Sequence, residues 1–258
     1  MIKLNCDMGE SFAVWTMGDD GAVMPYIDMA NIACGFHAGG PAIMARTIAL
    51  AKQHGVRIGA HPAYPDIQGF GRRSMTFTQA ELSAILQYQI GAIQALCDAQ
   101  QVALSYVKPH GALYNDMQRS EDLFIHVCQV IARLNQQRAA YQQTPLYLVT
   151  LARADTLTDT SAQQKIAAQM GVPLWFEAFT DRRYEADGSL RSRQHADAVL
   201  RSRDEILAQV RAFKQGEPII AVDGSALTLQ ADTLCVHGDN PESIATVAAI
   251  HQLLHEHS

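Results

Sequence analysis

No apolar stretch in this chain is long enough to cross a bilayer, which excludes a transmembrane helix. The N-terminus enters Ile2-Lys-Leu-Asn5 without the charged and apolar regions of a signal peptide, so a cytoplasmic location is expected. Charge is sparse. Only 18% of the 258 residues are Asp, Glu, Lys or Arg, against 48% hydrophobic, which argues against disorder and for a large core. The net charge is -6 and there is no basic run, so neither a nucleic acid nor a membrane surface is an expected partner. The five cysteines are odd in number and contain no Cys-x-x-Cys, which excludes a disulfide framework and a zinc knuckle. Cys6, Cys34 and Cys235 lie in apolar runs and read as small buried thiols. Also missing are the Gly-x-x-x-x-Gly-Lys-Ser/Thr phosphate loop, the Gly-x-Ser-x-Gly elbow and the Gly-x-Gly-x-x-Gly fingerprint. Gly69-Phe-Gly71-Arg-Arg73 matches none of them, so the chain offers no standard place for ATP.

What is present is an alternation. Apolar runs of strand length fall at 2–7, 28–35, 56–60, 104–109, 145–150, 172–177 and 233–237. Several are continuous rather than alternating, as expected of strands covered on both faces. About six helical stretches lie between and after them. Pro41 suits a first helical position, Thr78 and Glu81 form a capping box, and Ser120 can cap. Gly171 and Gly216 fit as C-terminal stops, and Pro241 opens a last helix. Parallel βα units of this number predict a seven-stranded TIM-like (β/α) barrel, with an open doubly wound sheet as the alternative. Asp223-Gly224, between two apolar runs, predicts a β-hairpin near 218–230. With no linker or repeat, residues 1–258 read as a single domain.

Polar residues gather where the strands end. His37, His61, His110 and His237 each close an apolar run inside a small or glycine-rich turn, and Asn5, Asp7 and Glu10 end the first run. A single strand-end histidine is most often structural. Four in the same relation point to an active site, because the strand ends of a barrel converge on one face. Asp7 reads as a base or metal ligand oriented by Asn5, or else as a turn cap. Lys108 shares a strand side with His110 and is either drawn into the site or solvated. Glu177 and Asp181 suit acid–base work, or else pair structurally with Arg182 or its neighbours. Arg72 and Arg182, in two long Gly- and Arg-rich connections, are the candidates for gripping a carboxylate or phosphate. Tyr114 and Asn115, read as loop, could hydrogen-bond a substrate. Asp239 follows His237. Three histidines plus Asp7 could bind a divalent metal, with ligands drawn from different strands.

Together these segments resemble the family of 5-oxoprolinase A subunits, also called the LamB/YcsF lactam-utilisation family. The resemblance is carried by Leu4-Asn-Cys-Asp-Met-Gly-Glu10, Asn31-Ile-Ala-Cys-Gly-Phe-His-Ala-Gly39, Ile58-Gly-Ala-His-Pro62, Gly69-Phe-Gly-Arg72, Tyr88-Gln-Ile-Gly91, Val107-Lys-Pro-His-Gly111, Leu113-Tyr-Asn115, Asp181-Arg182 and Val236-His-Gly-Asp239. It spans nearly the whole chain. Gly40 departs from the family pattern, which carries an acidic residue there, so this chain has no carboxylate at that position.

The resemblance implies a barrel of the glycoside hydrolase/deacetylase type. It also implies ATP-dependent opening of the 5-oxoproline lactam to L-glutamate, with ATP and Mg2+ used by a complex with two partner subunits of B and C type. On that reading Asp7 or His61 is the base and His110 or Glu177 the acid, with Asp181 beside them, while Lys108 and Arg182 hold negative charge. Asn5, Glu10, His37, Arg72, Asn115, His237 and Asp239 then shape the lactam pocket. Two alternatives stay open: a metal-dependent amidohydrolase or deacetylase working without ATP, and a non-catalytic component that only binds the lactam. The oligomeric state is also open, a homo-oligomer included.

Overall fold

The computed structural model describes residues 2–154, 161–237 and 241–256. Seven parallel strands close a barrel: β1 (Lys3–Met8), β2 (Met29–Ala33), β3 (Arg57–His61), β4 (Leu104–Val107), β5 (Tyr147–Leu151), β6 (Leu174–Phe179) and β9 (Thr233–Val236). They pair in chain order, and β9 bonds to both β6 and β1 to complete the ring. The open sheet is thereby ruled out. A two-stranded antiparallel ribbon, β7 (Ile219–Ile220) and β8 (Ala226–Leu227), precedes the last barrel strand. Its turn is held by Asp223, whose carboxylate accepts from the Ser225 amide and hydroxyl.

Helices cover the outside: α1 (Asp20–Val23), α2 (Pro41–His54), α3 (Gln79–Ala99), α4 (Gly111–Arg119), α5 (Glu121–Ala140), α6 (Ala162–Gln169), α7 (Arg203–Gln215) and α8 (Pro241–His255). Their ends follow the local sequence. In α3, Thr78 accepts from the Glu81 amide and Glu81 accepts from the Thr78 amide at 2.8 Å, the reciprocal pair of a capping box. Ser120 caps α5, and Gly216 closes α7 in the left-handed conformation. The sequence pattern does not announce α1 or α4. Residues 111–119 form a helix rather than a loop, with Ala112, Leu113 and Met117 on its buried side, because a glycine at the first position hides the helical pattern.

The main apolar core lies between barrel and helices, with Leu4, Ile32, Ile58, Leu86, Ile93, Val107, Phe124 and Leu148 among its fully buried members. A separate, smaller cluster of Met29, Tyr106 and Val149, with Tyr147 and Trp175 against it, fills the amino-terminal end of the barrel interior. Gly59 makes room for it: a Cβ there would lie 2.1 Å from the Tyr106 ring. Above this plug the interior turns polar, with Asn5, Asn31, Glu177 and Thr233 all fully buried. The structure also corrects two strand ends. β4 stops at Val107, before Lys108-Pro109, because proline cannot donate to the ladder. Glu177 lies two residues inside β6 rather than at its end.

Candidate active site

Lys108 is the centre of the site floor and is 3% exposed. Its ammonium donates to Asn5 Oδ1 and Asp7 Oδ1, both at 3.1 Å, and lies 2.8 Å from Glu177 Oε1 and 3.2 Å from Cys235 Sγ. Burial opposes the charge, but Asp7 and Glu177 outweigh it and hold the ammonium well above the usual lysine range. Asp7 is held by a second donor, Asn31 Nδ2, at 2.8 Å. Burial would raise its pKa, but His61 and Lys108 bring it well below the ordinary carboxylate range. Beneath, Asn31 donates to Asn5 Oδ1 and accepts from the Tyr106 hydroxyl, both at 2.7 Å. Asn5 donates to Thr233 Oγ1. The floor is thus one connected polar network on an apolar plug.

Beside it stand three histidines. His61 Nδ1 donates to the Lys108 carbonyl at 2.7 Å, and His110 Nε2 donates to the Phe70 carbonyl at 2.9 Å. The remaining nitrogens, His61 Nε2 and His110 Nδ1, face each other at 2.9 Å. His61 Nε2 is also 3.3 Å from Asp7 Oδ2. His37 stacks on His110 with ring centroids 3.8 Å apart, and its Nε2 is 3.4 Å from Glu10 Oε1. Burial drives His37 and His110 well below the usual histidine range, and the neighbouring imidazoles add to the effect. Burial, then the charge of Asp7, raises Glu10. Glu10, His37, His61 and His110 each present one donor atom within 4.8 Å of the others, so the group could hold a metal ion.

The connection from 62 to 73 is bound to these rings. Buried Gln89 of α3 clamps Ala63, accepting from its amide and donating to its carbonyl, both at 2.9 Å. Asp66 pairs with Arg73, and the Ala112 amide donates to the Gly71 carbonyl at 2.8 Å. Gly71 has φ +65°, and a Cβ there would lie 2.9 Å from both His110 and His37.

A cavity of about 480 Å³ opens over this floor. Of the residues singled out in the sequence, Asp7, Glu10, His61, Arg72, Lys108, His110, Asn115, Arg182 and His237 line it. Asn5, His37, Glu177 and Asp181 do not; they sit behind the residues that do. Asp239 lies outside the described residues. On the far wall His237 Nδ1 is 3.0 Å from Asp181 Oδ2. Burial works against the imidazolium, but Asp181 raises His237 above its ordinary value, and His237 in turn lowers Asp181. Arg182 donates to the Arg191 carbonyl at 2.6 Å and braces the segment carrying Arg193, while Arg72 lies over the Phe70 ring. Tyr114, also singled out in the sequence, lines the cavity as well, as do Met17, Arg119, Arg193 and Gln194.

Sequence reasoning misses Asn31, Tyr106, Thr233 and Gln89. Asn31 enters it only as the start of a run. Its signal is an amide in the middle of an apolar strand, paired in register with Asp7. The cysteines behave as expected, all five being free and buried.

Fold and site together define a TIM-like barrel protein with an ionisable pocket at the carboxyl ends of its strands. The chain belongs to the LamB/YcsF family, which matches residues 2–258. It is 52% identical over 258 residues to a Pseudomonas fluorescens protein named as the A subunit of 5-oxoprolinase, covering 100% of this chain and 98% of that one. A protein of the same name from Chromohalobacter salexigens is 52% identical, covering 96% and 94%. One from Vibrio cholerae is 50% identical, covering 99% and 98%. Among solved structures, a lactam utilization protein from Thermus thermophilus superimposes with a TM-score of 0.85 at 33% identity, covering 98% of this chain and 95% of that one.

Proposed function

We propose that this chain is the lactam-opening component of a 5-oxoprolinase, hydrolysing 5-oxoproline to L-glutamate while ATP is cleaved to ADP and phosphate. The observation that carries the reading is the convergence, in one cavity, of a buried charged lysine, a depressed carboxylate and a carboxylate-paired histidine. The likeness to proteins named as 5-oxoprolinase A subunits, at about half identity over nearly the whole chain, supports the choice of substrate.

A lactam is a poor electrophile with a poor leaving group. Transfer of a phosphoryl group from ATP to its oxygen activates it; water adds to the ring carbon, the C–N bond breaks as the nitrogen takes a proton, and a second water hydrolyses the resulting acyl phosphate to release phosphate and L-glutamate. Asp7, with Asn31 and Lys108 fixing one oxygen, orients the water through the other and accepts its proton. Lys108 holds the negative charge carried by the phosphorylated oxygen, in a setting where no reorganisation is needed. His237, whose imidazolium Asp181 favours, donates to the leaving nitrogen. Arg72 and the Arg182-braced segment at the rim hold the substrate carboxylate. Glu177 acts by holding Lys108 rather than by touching substrate.

ATP and Mg2+ are assigned to two partner subunits, in keeping with the absence of a phosphate loop from the sequence. Phe12, Val14 and Trp15, exposed on the turn between Glu10 and Met17, which both line the cavity, offer them an apolar surface. We assign residues 1–258 to one domain. Among the described residues no helix is long and apolar enough to cross a membrane.

The test is glutamate release from 5-oxoproline with ATP and magnesium, using this chain alone, the two partners alone, and all three. Release only from the full mixture is expected. No release from folded, associated partners plus this chain would overturn the assignment.

A further inference from the structure

The facing nitrogens of His61 and His110 raise a question of protons. A main-chain carbonyl can only accept, so the bonds to the Lys108 and Phe70 carbonyls place a hydrogen on His61 Nδ1 and on His110 Nε2. In neutral rings that leaves His61 Nε2 and His110 Nδ1 as bare lone pairs, 2.9 Å apart. Two lone pairs at that distance repel unless a cation lies between or beside them. A backbone carbonyl behind each ring is also the usual way a metal-binding histidine has its tautomer and angle fixed.

The surroundings supply further donors. Glu10 Oε1 and both nitrogens of His37 are buried and make no hydrogen bond with a described residue. His37 Nε2 is 3.4 Å and His110 Nδ1 is 3.7 Å from Glu10 Oε1. Tetrahedral coordination with metal–ligand bonds of about 2.0–2.1 Å separates donors by about 3.3 Å. The observed separations bracket that value. Three imidazoles and one carboxylate form a donor set for a borderline divalent ion of the first transition row, not for magnesium or calcium.

We propose that Glu10, His37, His61 and His110 form a binding site for one divalent cation of the zinc class. Asp7 and Lys108 are the neighbouring charges. The site is separate from the Asp181–His237 pair, and the proposal stands without the lactam reaction, because its readout is metal content. With the cation bound, His61 and His110 hold metal rather than protons, which leaves proton transfer to Asp7 and His237.

The experiment strips the purified chain with a chelator, dialyses it against Zn2+, and measures bound zinc by elemental analysis and its surroundings by X-ray absorption. One equivalent of zinc per chain is expected, with a first shell of three imidazoles and one oxygen, and at least a tenfold loss of occupancy in His110→Ala. His237→Ala should retain the full equivalent. The absorption spectrum of the unsubstituted protein decides the matter even if the histidine variants fail to fold. A sulfur in the shell would put the ion on the other grouping, Asp7, Cys235 and His237, and would overturn the proposal. So would less than a tenth of an equivalent bound by the unsubstituted chain, since the cation between the two rings would then be a proton.

Discussion

Replacing Lys108 by methionine tests the logic of the site floor. The side chain has nearly the same length, so the change removes charge without opening a large cavity. It leaves two carboxylates, Asp7 and Glu177, that now lie 3.1 and 2.8 Å from an ammonium. Their side chains are 18% and 0% exposed, so water cannot fully replace the lost partner. Breaking a buried ion pair from one side costs about 3–5 kcal/mol. At about 2–4 °C per kcal/mol for chains approaching this size, the melting temperature should fall by roughly 6–20 °C at neutral pH.

Glu177→Gln in the same background removes one of the stranded charges. The double variant should therefore melt above Lys108→Met alone, with a coupling of at least about 1 kcal/mol between the two sites. The pH dependence has a definite sign. Asp7 has a depressed folded-state pKa, so its stabilisation is present above the unfolded value, near 3.9, and is lost as pH falls through the folded value. Lys108→Met removes much of that depression. The gap to the unsubstituted protein should be widest near neutrality and narrow in acid. Melting curves by circular dichroism from pH 7 to pH 3 measure all of this. A Lys108→Met protein melting within about 2 °C of the parent at pH 7, or two changes that simply add, would refute the account.

Gly59→Ala should destabilise the barrel by about 1–3 kcal/mol through overpacking against Tyr106, read by denaturant unfolding, with Tyr106→Leu in the same chain restoring part of the loss. Asp181→Asn removes the carboxylate that raises His237, so the alkaline limb of the complex's activity should move to lower pH. The same change removes stability that is fully present below the unfolded histidine value and is lost as pH rises through the raised folded one, so the melting deficit should shrink at high pH. Arg72→Ala should raise KM for 5-oxoproline at least several-fold with little change in kcat, measured in the reconstituted complex; an unchanged KM would remove Arg72 from carboxylate binding. Gln89→Leu leaves both main-chain groups of Ala63 unpaired in the interior and should cost about 2–6 kcal/mol by chemical denaturation, at about 1–3 kcal/mol for each stranded group.

The barrel was legible because each strand is a compact apolar run and most of the helices, α1 and α4 excepted, carry their own punctuation. Its strand ends were legible because histidines and carboxylates there have no packing reason to recur. Depth was not legible. Nothing along the chain distinguishes Asp7, which lines the cavity, from Asn5, two residues earlier and one layer lower. Glu177 and Asp181 group together by their closeness in sequence, yet one underlies Lys108 and the other braces His237 from outside the cavity. Asn31 and Tyr106 escape because an apolar run does not reveal which of its faces turns inward. The pairing of His61 with His110 joins residues 49 positions apart and depends on two carbonyls that no side-chain pattern reports.

The stretch from Pro62 to Arg73 is fastened by Gln89 at its start, by His110 at Phe70, by Ala112 at Gly71 and by the Asp66–Arg73 pair near its end. Loop and catalytic wall are therefore a single mechanical part. A family member cannot gain a new specificity by exchanging this loop as a cassette, because any replacement that fails to present a carbonyl at position 70 also releases the His110 ring. Change in this region has to arrive as coordinated sets of substitutions, and the arginine-bearing segment across the cavity is fastened by a separate set of bonds, from Arg182 to the Arg191 carbonyl and from Arg191 to Asp197 and Glu185.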